Sequence, residues 1–111
     1  MRLDVITKCA GYEPTLDRIV VALCCDLERR ERAIAEGRVS HRTEMEYRYI
    51  NHRMIEAAEE ICADRARIYL EDVSGRTGYA DSRVDNASEV TYKLRKLAMK
   101  QNIARRLHLL D

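Results

Sequence analysis

His52 and Glu56 stand one helical turn apart, a spacing that could offer an imidazole nitrogen and a carboxylate oxygen to one side of a metal ion. A usable site needs further ligands converging on the same point, and neither His41 nor His108 stands at a spacing that supplies them. The pair is therefore expected to be exposed or half-buried, without a metal. Cys9, Cys24, Cys25 and Cys62 contain no Cys-x-x-Cys pair, which argues against zinc as well. Cys24 and Cys25 lie in an apolar run, where a free thiol packs as a small hydrophobe, so the cysteines are expected to be reduced and structural. No Gly-x-Ser-x-Gly elbow is present. Gly75 and Gly78, in Ser74-Gly75-Arg76-Thr77-Gly78, lack the Lys-Ser/Thr of a phosphate loop and read as turn residues. These residues predict a protein that is not an enzyme and uses no metal or other cofactor.

What remains is positive charge in one place. Net charge is −1 over residues 1–37, −2 over residues 38–72 and +4 over residues 73–111. Glu89 to Leu110 carries six of the twenty Lys and Arg residues against a single acid. On a helical wheel its apolar residues form two stripes, Val90, Leu94, Leu97, Ala104 and Tyr92, Met99, Ile103, Leu107, Leu110, and both are expected to be buried. Leu97→Asp is accordingly expected to unfold the domain. Lys93, Lys96 and Lys100 lie between the stripes, and Thr91, Arg95, Asn102 and Arg106 make one row predicted to face solvent. A solvated face is one account of that row. The other is a nucleic-acid surface, with Lys93, Lys96 and Lys100 on phosphates and Arg95, Asn102 and Arg106 presented to the bases.

Positioning these side chains requires helices. One Pro and four Gly in 111 residues leave too few breakers for a β-sandwich, and hydrophobic residues make up 46% of the chain. With six Tyr and no Phe or Trp, an aliphatic core is expected. The fold class is therefore all-α: one helical domain over residues 1–111, a three-helix bundle of long helices near 15–37, 40–71 and 86–110, with an N-terminal arm over 1–12. The first helix should open at Pro14 with Thr15 as cap and stop at Gly37. Arg30 and Glu31 interrupt its apolar stripe, so its last turns should project past the core. The second should start between Ser40 and Thr43, with Glu56, Glu59, Glu60 and Asp64 as an acidic face turned to water or to the last helix. Residues 72–85 read as a long connecting loop with room for a short extra helix at 79–84, and Asn86 as the cap of the last helix, with Glu89 completing the box. No apolar run approaches the length needed to span a bilayer, and Asp4 spoils a secretory signal, so a cytoplasmic location is expected.

Tyr79-Ala80-Asp81, Thr91-Tyr92-Lys93-Leu94-Arg95-Lys96 and Asn102-Ile103-Ala104-Arg105-Arg106-Leu107 resemble small helical proteins of phages and prophages, distantly like the ArpU/RinA class of phage late-gene regulators. The resemblance covers about residues 44–110. It implies a C-terminal helix-turn-helix and DNA as partner, and places the missing first helix of that motif in the turn before Asn86. Two other functions suit the same chain. One is a phage-encoded module that binds a host protein, such as an anti-CRISPR type inhibitor of a defence nuclease. The other is a helical homodimer joined through Tyr92, Met99, Ile103, Leu107 and Leu110.

Overall fold

The computed structural model describes residues 11–110, and all their regular structure is helical. The helices are α1 (Pro14–Cys25), α2 (Leu27–Ala35), α3 (His41–Cys62), α4 (Ala66–Gly75) and α5 (Glu89–Arg106), with single 3-10 turns at Ala63–Arg65 and Tyr79–Asp81. These make the three expected rods, two of them interrupted once. Asp26, at φ −90° and ψ −3°, divides α1 from α2. Cys62, at φ −155° and ψ 89°, and Arg65, at φ −129° and ψ 12°, divide α3 from α4. The breaks let α4 lie along α1 while α3 packs against both α2 and α5. Nearly all of the arm expected over residues 1–12 lies outside the described residues.

Local chemistry sets the ends of the rods. Pro14 opens α1 directly after Glu13, with no side-chain cap, so Thr15 is not used. Ser40 Oγ accepts the Thr43 amide at 3.2 Å and starts α3. Ser88 does the same for α5, accepting from the Thr91 amide at 3.3 Å. The expected cap, Asn86, is instead spent on Asp64, to which its Nδ2 donates at 3.4 Å. Gly37, at φ 64°, ends α2 as expected, with the Arg38 amide reaching back to the Ala33 carbonyl at 3.1 Å. The connection expected over 72–85 begins later, because α4 continues to Gly75.

One hydrophobic cluster draws on all five helices, including Val20, Leu27, Met54, Ala57, Leu70, Met99 and Ile103. It is not purely aliphatic. Tyr69 and Tyr92 are almost wholly buried and stack with centroids 5.3 Å apart, and Tyr79 tilts against Tyr92 at 5.5 Å. Of the two buried hydroxyls, that of Tyr92 donates to Asp72 at 2.8 Å, whereas that of Tyr69 meets no hydrogen-bond partner among the described residues.

α5 resolves the ambiguity of its two stripes. Tyr92, Met99 and Ile103 are buried, and Leu107 and Leu110 pack half-buried on the same core. The homodimer stripe is thus the inside of the molecule, because α3 and α1 both pack on that side of the helix. In the other stripe Ala104 is buried, Leu94 and Leu97 are half-buried and Val90 is 65% exposed. Arg30 also departs from expectation. It is buried between α2 and α3, so the end of the first rod is part of the packed structure. No helix among the described residues is long and apolar enough to cross a membrane.

Candidate functional site

The six side chains expected to meet nucleic acid do not share one surface. Lys93 is exposed and pairs with Glu89 at 3.1 Å. Arg95 is half-buried beside Tyr69 of α4. Asn102 Nδ2 donates to the Ala57 carbonyl of α3 at 3.0 Å. Arg106 bridges Glu56, at 3.1 Å, and Glu60, holding the Glu60 carboxyl below its usual range. The row predicted to face solvent is therefore turned onto α3 and α4. A wheel drawn for α5 alone could not show the carbonyl and carboxylates waiting there.

Lys96 and Lys100 point the other way, into a cleft of about 500 Å³ between α1, the turn after α4, and α5. Lys96 Nζ donates to the Thr77 carbonyl at 2.7 Å and lies 5.2 Å from the Tyr92 ring centroid. Burial pushes its pKa down against the pull of nearby Asp72, and the charge of Lys100 acts in the same direction as burial. Lys100 Nζ lies 2.7 Å from Asp17 Oδ1, which also accepts the Tyr12 hydroxyl at 2.8 Å. Burial raises the Asp17 pKa, but those two hydrogen bonds outweigh it and the net shift is downward. Arg18 and Arg76 complete the wall. Neither guanidinium makes an ion pair or hydrogen bond among the described residues, although the charge of Arg76 helps to lower the Asp17 pKa. Four cations thus meet Asp17 in the wall and Asp72 behind it, leaving an excess of two positive charges around one hollow.

A buried polar network holds the back of the cleft in place. Asp72 Oδ2 accepts from the Tyr92 hydroxyl at 2.8 Å and from Ser82 Oγ at 2.5 Å, and Ser82 Oγ takes the Val84 amide at 3.0 Å. The connection after α4 is thereby pinned to α5, which fixes the Thr77 carbonyl that Lys96 grips.

Arg76 sits at φ 53°, in the left-handed region at the end of α4, where a side chain is strained and glycine is not. Gly75 and Gly78 flank it in the sequence, yet Arg76 takes the position. Arg76→Gly should raise stability by about 0.5–1 kcal/mol, by relieving backbone strain and like-charge repulsion. Urea denaturation checks this, and a loss of stability would assign Arg76 a structural task.

Of the four cations that line the cleft, the sequence singled out Lys96 and Lys100 but not Arg18 and Arg76. The only signal for Arg76 was its place between two glycines; for Arg18 there was none, because the other cations of the cleft are distant in sequence.

The other chemistry-bearing groups are spread out. His52 Nε2 meets Glu56 Oε1 at 2.7 Å on the surface of α3, and Glu56 is also held by Arg106. Among the described residues no three His, Cys, Asp or Glu side chains converge as metal ligands. Cys24 and Cys62 are free and buried, whereas Cys25 is free and exposed, with its Sγ 3.4 Å from the Ser74 carbonyl. Cys9 lies outside the described residues. The apolar environment expected for both adjacent cysteines holds for Cys24 alone, since neighbours on a helix point about 100° apart. Burial pushes the Cys24 thiol up to about 12, so its thiolate is scarce at neutral pH. Native-state alkylation followed by peptide mapping should label Cys25 on the order of a hundredfold faster than Cys24. Equal rates would mean that the α1–α4 contact opens readily.

A separate apolar hollow of about 590 Å³ lies between α2 and α3, with Ile34, Met45, Tyr49 and Ile55 in its walls. Met45 is 57% and Tyr49 50% exposed there.

No protein-family model matches the chain, and no curated protein or solved structure matches it. The helix-turn-helix expectation meets a geometric obstacle in the chain itself. The connection from Arg76 to Ser88 holds one 3-10 turn, Tyr79–Asp81, where the motif needs a helix and a turn of three or four residues.

Proposed function

We propose that this protein is a non-catalytic, phage-type regulatory module that binds nucleic acid through phosphate contacts in the cleft between α1, the turn after α4, and α5. One observation carries the reading: Arg18, Arg76, Lys96 and Lys100 converge on a single hollow, with Asp17 in its wall and buried Asp72 behind it as the acids that offset them. Clustering like charges is costly in an empty cleft and favourable once an anion enters it. Of the six residues first expected to make contacts, Lys96 and Lys100 keep that task. Arg95, Asn102 and Arg106 would have to leave α3 and α4 to read bases, so binding should depend little on sequence.

Salt tests this reading. Two uncompensated cations on a single strand should give a slope of about −1.4 in log affinity against log salt, a loss of roughly sevenfold between about 50 and 200 mM. Titration of a short oligothymidylate by calorimetry at several salt concentrations measures it. No binding at low salt, or binding indifferent to salt, would remove the nucleic-acid reading. The second reading, docking of a host protein as an inhibitor would, is favoured by the hollow between α2 and α3. It fits a partner helix that inserts an apolar side chain between Met45 and Tyr49, beside the paired charges of Arg48 and Glu44.

A further inference from the structure

The cationic cleft is recessed in a way that a surface for tracking a nucleic-acid backbone is not. Lys96 is half-buried and tied to the Thr77 carbonyl, and the Lys100 side chain is only 20% exposed, so two of the four cations lie within the wall. Arg18 and Arg76 are exposed and stand free. We infer that the cleft is a socket for a dianionic phosphomonoester group, carried by the end of a nucleic-acid strand or by a free nucleotide. This rests on the reading above that the cleft takes phosphate.

Shape, charge and lining argue for the monoester over the diester. An internal phosphate is flanked by a sugar on each side and cannot descend to recessed ammonium groups without bringing both along. A terminal phosphate has one ester link and three free oxygens. A volume of about 500 Å³ suits a nucleotide-sized group rather than a run of strand. The excess of two positive charges is matched by a monoester, which carries close to two negative charges at neutral pH, rather than by the single charge of a diester. Arg18 and Arg76, with no internal partner, keep both guanidinium forks available for bidentate contact with phosphate oxygens. Pro14, Val21 and Val73 add apolar wall beside the cations, as a nucleoside attached to that phosphate requires. The strained backbone at Arg76 gives the same indication, because a left-handed arginine is retained where glycine would be easier.

The test is calorimetric titration of the full chain with three short oligothymidylates, one bearing a 5′-phosphate, one a 3′-phosphate and one hydroxyl at both ends, and with thymidine 5′-monophosphate and thymidine. The expected result is that at least one phosphorylated strand binds about tenfold more tightly than the hydroxyl-ended strand, and that thymidine 5′-monophosphate binds where thymidine does not. Arg18→Gln and Arg76→Gly should each remove most of that preference. Neither guanidinium makes a direct ion pair, so its loss breaks none, and retained helicity with a melting temperature no lower than that of the wild type confirms intact folding. Equal affinity for phosphorylated and hydroxyl-ended strands, with no binding of the monophosphate, would overturn the socket and leave the nucleic-acid reading standing. Binding of the monophosphate without any strand would support the socket and end the strand reading. Absence of binding by every probe would overturn both.

Discussion

Met99→Asp should unfold the protein, whereas Leu97→Asp, two residues away on the same helix, should be tolerated. Met99 is 0% exposed and sits in the cluster with Ile103, Ala104 and Tyr92. A carboxylate placed there has no cation or donor to meet it, and it must either remain charged in apolar surroundings or take up a proton, at a cost of several kcal/mol. Added to the lost thioether packing, that is comparable to the whole stability of a domain of this size, about 5–15 kcal/mol. Leu97 is only half-buried, so an aspartate there can turn its carboxylate to water and forfeit about 1 kcal/mol of apolar burial. Circular dichroism during heating distinguishes the two. A cooperative transition in Met99→Asp near the wild-type temperature would refute the assignment of the buried face, as would equal collapse of Leu97→Asp.

That pair also marks how far the sequence could be read. Apolar residues recurring at three and four positions located the helical rods, and Gly37 and Ser40 marked the first turn between them, because each of these signals is local to a few residues. Choosing between the stripes of α5 needed knowledge of where α3 and α1 lie, and the wheel contains none. The same holds for the charges. Lys93 pairs with Glu89 one turn away, a contact any wheel reveals, but Arg106 pairs across to Glu56 and Glu60, and Lys100 to Asp17. The cleft is assembled from α1, α4 and α5 together, so its two best-placed cations, Arg18 and Arg76, carried no mark in the sequence comparable to the lysine spacing of α5. Arg30 misled for a related reason: arginine in a helix ordinarily faces water, and its burial depends on an asparagine twenty-one residues later.

Asn51→Leu should destabilise the protein by about 3–5 kcal/mol, since it strands that buried guanidinium. Arg30 is 3% exposed and no carboxylate contacts it. Its Nε donates to Asn51 Oδ1 at 2.6 Å, its Nη2 to the Leu23 carbonyl at 2.7 Å, and Nη2 also approaches Met54 Sδ at 3.3 Å. Burial lowers its pKa while the field of Asp26 raises it, and an arginine so placed stays charged. Asn51 completes the arrangement from the other side, its Nδ2 donating to the Leu27 carbonyl at 3.1 Å. Leucine has the same branched skeleton as asparagine but supplies neither acceptor nor donor, so the Nε hydrogen loses its partner and the Leu27 carbonyl keeps only its helical one. If the cost arises from the stranded charge rather than from altered packing, removing the charge should restore stability. Arg30→Met combined with Asn51→Leu should therefore be more stable than Asn51→Leu alone, with a coupling of about 2–3 kcal/mol in a double-mutant cycle. Urea denaturation of the wild type, both single variants and the double variant measures that coupling. Additive effects would mean that water reaches the guanidinium when Asn51 is lost, and that the interface between α2 and α3 is held by its apolar contacts alone.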